Sequence, residues 1–200
     1  MKLGIIGTGT IGTIVATKAI NAGYDVILSN SRGPESLREK VSLLGKGASA
    51  GTIMEAASQE IVLLAVPWIK INEAVNGLPD WNNRIVIDAT NQFLSLEPEV
   101  KIANVEPLTS SEAVARALPG ARVIKAFSSM YAEYIEGEVA YGRRVLFYAG
   151  DDPEAKATVG GMFEQMGFYP QDLGSLAFGG RIMQLGGPLS AVHLIHRDGE

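Results

Sequence analysis

The stretch Lys2-Leu-Gly-Ile-Ile-Gly-Thr-Gly-Thr-Ile-Gly12 decides the fold. A short apolar run rich in β-branched residues leads directly into three glycines, Gly7, Gly9 and Gly12, spaced G-x-G-x-x-G. Apolar residues then recur at Ile11, Ile14, Val15, Ala19 and Ile20, the spacing of one helix face. Strand, tight turn and helix follow each other without a gap. In such a unit Gly7 permits the turn, Gly9 lets the backbone approach a pyrophosphate, and Gly12 lets the helix pack closely on the strand. The helix N-terminus offers unpaired N–H groups and a partial positive charge. Asn21-Ala-Gly23 ends the helix, with Gly23 suited to a left-handed C-cap.

Outward from this unit the alternation continues. Tyr24 to Ser29 reads as a second strand, and Pro34 opens a second helix at a position where its missing N–H costs nothing. Glu60 to Val66 and Arg84 to Asp88 read as buried strands, followed by an irregular stretch through Pro98 and Pro107. A helix is expected near Ser111 to Leu118, with strands at Arg122 to Phe127 and Arg144 to Gly150. Asp152-Pro153 then caps a helix running toward Met166, with a kink expected at Gly160-Gly161. Strands separated by helices of this length build a doubly wound α/β fold of the Rossmann type, with a mostly parallel sheet covered on both faces. Residues 1–200 read as one domain, with a dinucleotide-binding core over 1–150. A small α/β extension over 151–200 completes the sheet and the acceptor site.

Composition narrows the function. The 200 residues are 46% hydrophobic and 20% charged, the profile of an ordinary folded domain. A net charge of −5, spread over both halves, argues against nucleic-acid binding, which needs clustered Lys and Arg. With no cysteine the chain has neither disulfides nor thiolate metal sites. No apolar run approaches the roughly 18 residues that span a bilayer, so no membrane partner is expected and the cytoplasm is the expected compartment.

The second strand selects the cofactor. Enzymes that use NAD place an Asp or Glu about 20 residues past the glycine turn, on the ribose hydroxyls. Here the strand ends Ser29-Asn-Ser-Arg-Gly-Pro34, so that Asn30, Ser31 and Arg32 put an amide, a hydroxyl and a guanidinium where the 2′-phosphate of NADP would lie. NADP(H) is therefore the expected cofactor. Two further segments lie at strand ends, the edge where ligands bind in open parallel sheets. They are Ala65-Val66-Pro67-Trp68 and Asp88-Ala89-Thr90-Asn91. Pro67 stops its strand and aims Trp68 outward beside the cofactor, or else the indole packs into the core. Thr90 and Asn91 are candidate hydrogen-bonding groups for ribose or nicotinamide, or turn formers. A third segment, Lys125-Ala126-Phe127-Ser128-Ser129, ends on the same edge and offers hydroxyls to orient a ring. Lys125 either polarises a substrate carbonyl or makes a structural contact.

Taken together, Gly4 to Gly12, Asn30-Ser-Arg32, Ala65-Val-Pro-Trp68, Val86-Ile-Asp-Ala-Thr-Asn91, Val123-Ile-Lys-Ala-Phe127 and Ala149-Gly-Asp-Asp152 resemble the NADP oxidoreductase, coenzyme F420-dependent family, from Met1 to about Leu194. The resemblance implies hydride transfer between NADPH and a deazaflavin, coenzyme F420, or another flavin-type acceptor. By position it implies that Gly7, Thr8, Gly9, Thr10, Ile11 and Gly12 hold the pyrophosphate, and Ser31 and Arg32 the 2′-phosphate. Val66, Pro67 and Trp68 would flank the ribose and nicotinamide. Where the family has Ala-Phe-Asn-Thr this chain has Ala126-Phe-Ser-Ser129, without the side-chain amide, and Gly179-Gly-Arg-Ile-Met-Gln184 resembles the tail of bacterial members.

Hydride transfer to a flavin-type ring proceeds by alignment, with the chemistry carried by the cofactor. No catalytic side chain is assigned, in keeping with a sequence that has only His193 and His196. These two could bind a metal with Asp198, but a solvent-exposed tail is the expected reading, and no metal is assigned. The alternative to a reductase is a non-catalytic NADP(H)-binding sensor or partner module. A dehydrogenase of small carbonyl compounds fits less well, since such enzymes add a long helical domain. The small extension leaves the acceptor site open on one side, so a homodimer is expected, with residues 130–145 of a second chain completing it.

Overall fold

The computed structural model describes residues 2–197. Strand β1 (Lys2–Ile6) buries everything after Lys2, and its Gly4 is required by contact: a Cβ there would lie 1.9 Å from the Ala56 carbonyl oxygen. Helix α1 (Thr10–Asn21) buries Gly12, Ile14, Val15, Ala16 and Ala19, and Gly23 beyond it takes φ 90°, as the sequence predicts. Strand β2 (Asp25–Ser29) follows, then a 3-10 turn at Pro34–Leu37 and helix α2 (Arg38–Leu44).

Two elements escape the sequence reading here. Strand β3 (Ala48–Ala50) is three small residues at the sheet edge, and helix α3 (Ile53–Ala57) is a single short stretch. A capping box sets α3: Thr52 accepts from the Glu55 N–H and Glu55 returns the bond to the Thr52 N–H. Next come β4 (Ile61–Leu64), α4 (Ile71–Val75) after a 3-10 turn at Trp68–Lys70, and β5 (Ile85–Asp88). The irregular stretch contains a small two-stranded hairpin, β6 (Phe93–Ser95) with β7 (Lys101–Ile102). A second capping box, Thr109 with Glu112, starts α5 (Ser110–Ala117), and β8 (Arg122–Ala126) leads to α6 (Ala132–Glu136). The chain closes with β9 (Arg143–Gly150), α7 (Pro153–Gln165), β10 (Phe168–Asp172), α8 (Gly179–Met183) and β11 (Ile195–His196). Helix α7 is capped by Asp152 as expected and runs uninterrupted through Gly160-Gly161. The glycine at 160 serves packing, because a Cβ there would meet the Tyr148 hydroxyl at 3.0 Å.

The main sheet has the order β3-β2-β1-β4-β5-β8-β9-β10, with β11 also paired to β9. The first six of these are parallel to one another, β9 is antiparallel to β8, and β10 is parallel to β9. This is the expected doubly wound, mostly parallel α/β sheet. Alternate strand residues feed two cores. Leu3, Ile5, Ile61, Leu63, Ile85, Ile87 and Ile124 pack with α1 and α7, while Ile6, Val62, Leu64, Val86 and Val123 pack with α3, α4 and α5. Burial on both faces explains why these strands read as continuous apolar runs. Ala126 pairs with Tyr148, so Arg143 to Phe147 run on past the end of β8 and carry β10 and β11 beyond the parallel strands.

Candidate functional site

Because β1, β2, β4, β5 and β8 are parallel, the segments that follow them emerge on one edge. The chain winds one way from β1 to β3 and the other way from β4 to β8, so the crevice between β1 and β4 is the topological switch point. The glycine turn occupies it. Gly7 has φ 102°, its N–H donates to the Ser29 carbonyl at 3.0 Å, and the Ala65 N–H donates to the Ile6 carbonyl at 2.9 Å. A Cβ on Gly7 would lie 2.3 Å from the Ala65 carbonyl oxygen, and one on Gly12 would lie 2.0 Å from that of Gly7. Gly9 is different: nothing lies within 4 Å of a Cβ built there. The protein itself requires Gly7 and Gly12, whereas the space before Gly9 is open to a ligand.

Gly9 is the N-cap of α1, no side chain caps that end, and its first turn carries no acid. The free N–H groups and partial positive charge suit a pyrophosphate. Thr8, Thr10 and Ile11 complete the turn. Lys40, not singled out from sequence, donates from α2 to the Thr8 carbonyl at 3.2 Å and to the Thr13 hydroxyl at 2.7 Å. It thereby fixes a positive charge under the turn. No sequence signal marks it among ordinary surface lysines, because the contact spans 32 residues.

At the end of β2, Ser31 and Arg32 are exposed. Arg32 makes no ion pair among the described residues, while neighbouring Arg38 is paired with Glu35. Asn30 organises this loop: its Oδ1 accepts from the Arg32 N–H at 2.9 Å, and its amide bonds the Ser36 hydroxyl at 3.0 Å. Its side chain is thus committed within the protein, which leaves Ser31, Arg32 and the loop N–H groups as the candidates for the expected 2′-phosphate contact.

Beyond β4, Ala65 and Val66 are half-buried and Pro67 is exposed. Trp68 is not aimed outward. The indole packs against the second core, beside Ile71 and Val114 in a shallow cleft, and Ile69 takes the exposed position at 60%. The 3-10 turn that begins at Trp68 folds the ring back.

The ends of β5 and β8 are joined by a buried charge network. Asp88 and Lys125 are register partners, both with side chains 0% exposed, and Lys125 Nζ lies 3.1 Å from Asp88 Oδ2. Lys125 also donates to the Thr90 carbonyl at 2.5 Å. Asp88 Oδ1 accepts from the Thr90 N–H and hydroxyl at 2.9 and 2.7 Å, and Asp88 Oδ2 accepts from Ser111 at 2.9 Å. Lys125 therefore makes a structural contact and is not available to a substrate carbonyl. Thr90, buried and turned to Asp88, offers no hydroxyl to a ribose. Ala89 and Ala126 are buried as well, so they can contribute backbone alone.

Asn91 remains half-buried at the edge, with its amide donating to the Ser128 carbonyl at 3.0 Å. Between β8 and these serines stands Phe127, at φ 61° and packed edge-on against Phe163 and Phe168. A non-glycine residue in the left-handed region is strained, and the aromatic cluster holds it there. Asn91 Oδ1, Gln92 Oε1 and the hydroxyls of Ser110, Ser128 and Ser129 are shielded from solvent and have no partner in the protein. Leaving each such group unsatisfied costs about 1–3 kcal/mol. All five lie within a few residues of a member of the Asp88 network, after β5, after β8 or at the start of α5.

The C-terminal extension closes over this region. Thr109 donates to the Leu176 carbonyl, Gln184 accepts from the Ser110 N–H at 2.8 Å, and Gln92 donates to the Leu185 carbonyl at 3.3 Å. The glycines of the tail now have a reason: a Cβ on Gly179 would lie 2.7 Å from both Ala149 Cβ and the Leu173 carbonyl oxygen. His193 stacks on Tyr134 at 4.3 Å and contacts Arg144, while His196 stacks on Tyr169 at 3.7 Å. Burial, and then the charge of Arg144, push the His193 pKa down. No cluster of three metal-binding side chains occurs among the described residues, and Asp198 lies outside them.

Residues 2–92 match the sequence model of the family described as NADP oxidoreductase, coenzyme F420-dependent. The metalloreductase STEAP3 of Rattus norvegicus is 29% identical over 178 residues, covering 88% of this chain. This chain spans only 34% of that relative's length. Among solved structures, a hypothetical protein of Sinorhizobium meliloti is 35% identical with a TM-score of 0.90, covering 98% of this chain and 95% of its own. A protein of Arthrobacter sp. FB24 named as an F420-dependent NADP reductase is 23% identical with a TM-score of 0.67, covering 88% and 86%, a likeness of fold. No described helix is long and apolar enough to cross a membrane.

Proposed function

We propose that the chain, whose residues 2–92 match the NADP oxidoreductase, coenzyme F420-dependent family, is a reductase that passes hydride from NADPH to a flavin-type ring, a deazaflavin or another flavin. The observation that carries the cofactor is the pairing of an open Gly9 with an uncapped, acid-free α1 N-terminus at the switch point. Ser31 and Arg32 extend the same surface with a hydroxyl and a cation that makes no ion pair among the described residues, suited to a 2′-phosphate. Lys40, held on the Thr8 carbonyl, adds to the positive potential. The residues present thus fit NADPH in kind and in placement.

When bound, NADPH supplies the hydride. The chain's part is to orient and to exclude water. The glycine turn and the Arg32 loop would hold the phosphates, and the ends of β5 and β8, with Asn91 and Ser128, would flank the nicotinamide. Such alignment supplies much of the barrier reduction for a hydride step that needs no proton donor. The metalloreductase likeness supports reduction as the direction of travel, and the flavin-type acceptor rests on the family.

The test is a titration with NADPH and NADH, followed in the same cuvette by deazaflavin and then flavin mononucleotide. Preferential NADPH binding with oxidation by one of these rings is expected. Tight binding without oxidation by either would overturn the reductase reading in favour of a sensor or partner module.

A further inference from the structure

An ion pair buried between two apolar parallel strands is a poor way to gain stability. Both charges lose their hydration, and well-packed apolar residues of the same volume do as well or better. The pair formed by Asp88 and Lys125 therefore calls for another account, and its partners supply one. Every hydrogen bond it makes ends on the segment that leaves β5 or on the helix beside it: the Thr90 N–H, hydroxyl and carbonyl, and the Ser111 hydroxyl. Both side chains are fully shielded from bulk solvent.

The next residue along is Asn91, whose amide reaches across to the Ser128 carbonyl and so ties the end of β5 to the end of β8. Around this tie, Asn91 Oδ1 and the hydroxyls of Ser128 and Ser129 have no partner in the chain. Short polar side chains readily bond to nearby backbone N–H and C=O groups where the chain is free to adapt. Here these three atoms do not. Thr90 is pinned on three sides by the Asp88 network, and Phe127 is pinned in a left-handed conformation by its aromatic neighbours.

We propose that Asp88 and Lys125 are positioning residues: a buried charge clamp that holds Asn91, Ser128 and Ser129 in register as an edge for the nicotinamide ring. This rests on the NADPH reading given above. The clamp touches no cofactor, and it acts through Thr90 and Asn91. Its loss disorders the ring end of the site and leaves the phosphate end, on β1 and β2, intact.

The double variant Asp88→Asn/Lys125→Met removes both charges together and leaves no buried ion unpaired. We expect it to fold, to bind NADPH within about threefold of the wild type, and to transfer hydride to flavin mononucleotide at least tenfold more slowly in a single turnover. The bound nicotinamide would also lose fluorescence intensity and anisotropy relative to wild type. An unchanged transfer rate with unchanged nicotinamide fluorescence would overturn the proposal. So would parallel loss of binding and rate, which marks a merely structural pair. Should the double variant not fold, Ser111→Ala, which removes one bond to Asp88 and keeps both charges, is read by the same criteria with a threefold loss of rate expected. The wild type is the control. If it binds NADPH but oxidises it with no flavin, the reductase reading falls, and nicotinamide fluorescence decides the clamp on its own.

Discussion

Replacing Gly9 by alanine separates what the fold requires from what a ligand requires. Gly9 has φ −71° and ψ −165°, an extended conformation open to any residue, and a Cβ there meets nothing within 4 Å. Alanine is a poorer N-cap than glycine, but it also reduces the freedom of the unfolded chain by about 0.4–1 kcal/mol. The two effects oppose each other, so stability should stay within about 1 kcal/mol, a melting shift of no more than about 2–4 °C for a domain of this size. The bound state fares differently. A methyl group in the open space displaces a pyrophosphate from the α1 N-terminus and forfeits at least one charged hydrogen bond, about 1.5–3 kcal/mol. Affinity should fall roughly 10- to 150-fold, and equally for NADPH and NADH, which share the pyrophosphate. Gly12→Ala is the contrast. Its Cβ would lie 2.0 Å from a backbone oxygen, so melting temperature and binding should collapse together. Thermal melts paired with fluorescence titrations read both quantities. A Gly9→Ala protein that binds NADPH within threefold of the wild type would refute the assignment of this turn.

Arg32→Ala should weaken NADPH about 10- to 150-fold and leave NADH unchanged, since only NADPH carries the 2′-phosphate; equal loss for both would refute the subsite. His193 is held neutral by burial and by Arg144, so its contribution to stability is complete above the ordinary value of about 6.5 and is lost as pH falls through its lower value in the folded protein. A ring-proton NMR titration should place His193 below a free histidine, and Arg144→Gln should raise it; a value at or above about 6.5 in the wild type would contradict this. Light scattering should give the mass of two chains, with residues 130–145 at the junction, and a single-chain mass would leave acceptor closure to the C-terminal extension.

The doubly wound sheet was legible because its signals are local. Gly7, Gly9 and Gly12 between a strand and a helix locate the switch point, and runs such as Glu60 to Val66 announce strands buried on both faces. What escaped were elements whose stability comes from tertiary contact. Ala48 to Ala50 has no apolar period, and Ile53 to Ala57 is too short to show one, although the Thr52 and Glu55 capping pair was there to be read. Propensity also misjudged Gly160, which marks a close approach by Tyr148 within an unbroken helix.

The site divides along the same line. Its proposed phosphate end depends on backbone geometry that glycine spacing encodes: Gly9 stands open at the start of α1, and Ser31 and Arg32 are exposed at the end of β2. Its ring end depends on which polar side chains are already engaged, and that is decided by partners far along the chain. Asn30 and Thr90 each looked available and each is committed internally, to Ser36 and Asp88 respectively, and Lys125 makes the structural contact that the sequence reading had left open, to Asp88 and the Thr90 carbonyl. One signal was there in the sequence: Asp88 and Lys125 are opposite charges that directly follow the apolar runs Ile85-Val-Ile87 and Val123-Ile124, a cost that makes sense only if they meet. Opposite charges beside two apolar strand runs are thus the sequence cue to this frame, whereas the polar atoms without a partner, Asn91 Oδ1 and the Ser128 hydroxyl, emerge only by subtraction once the frame is known.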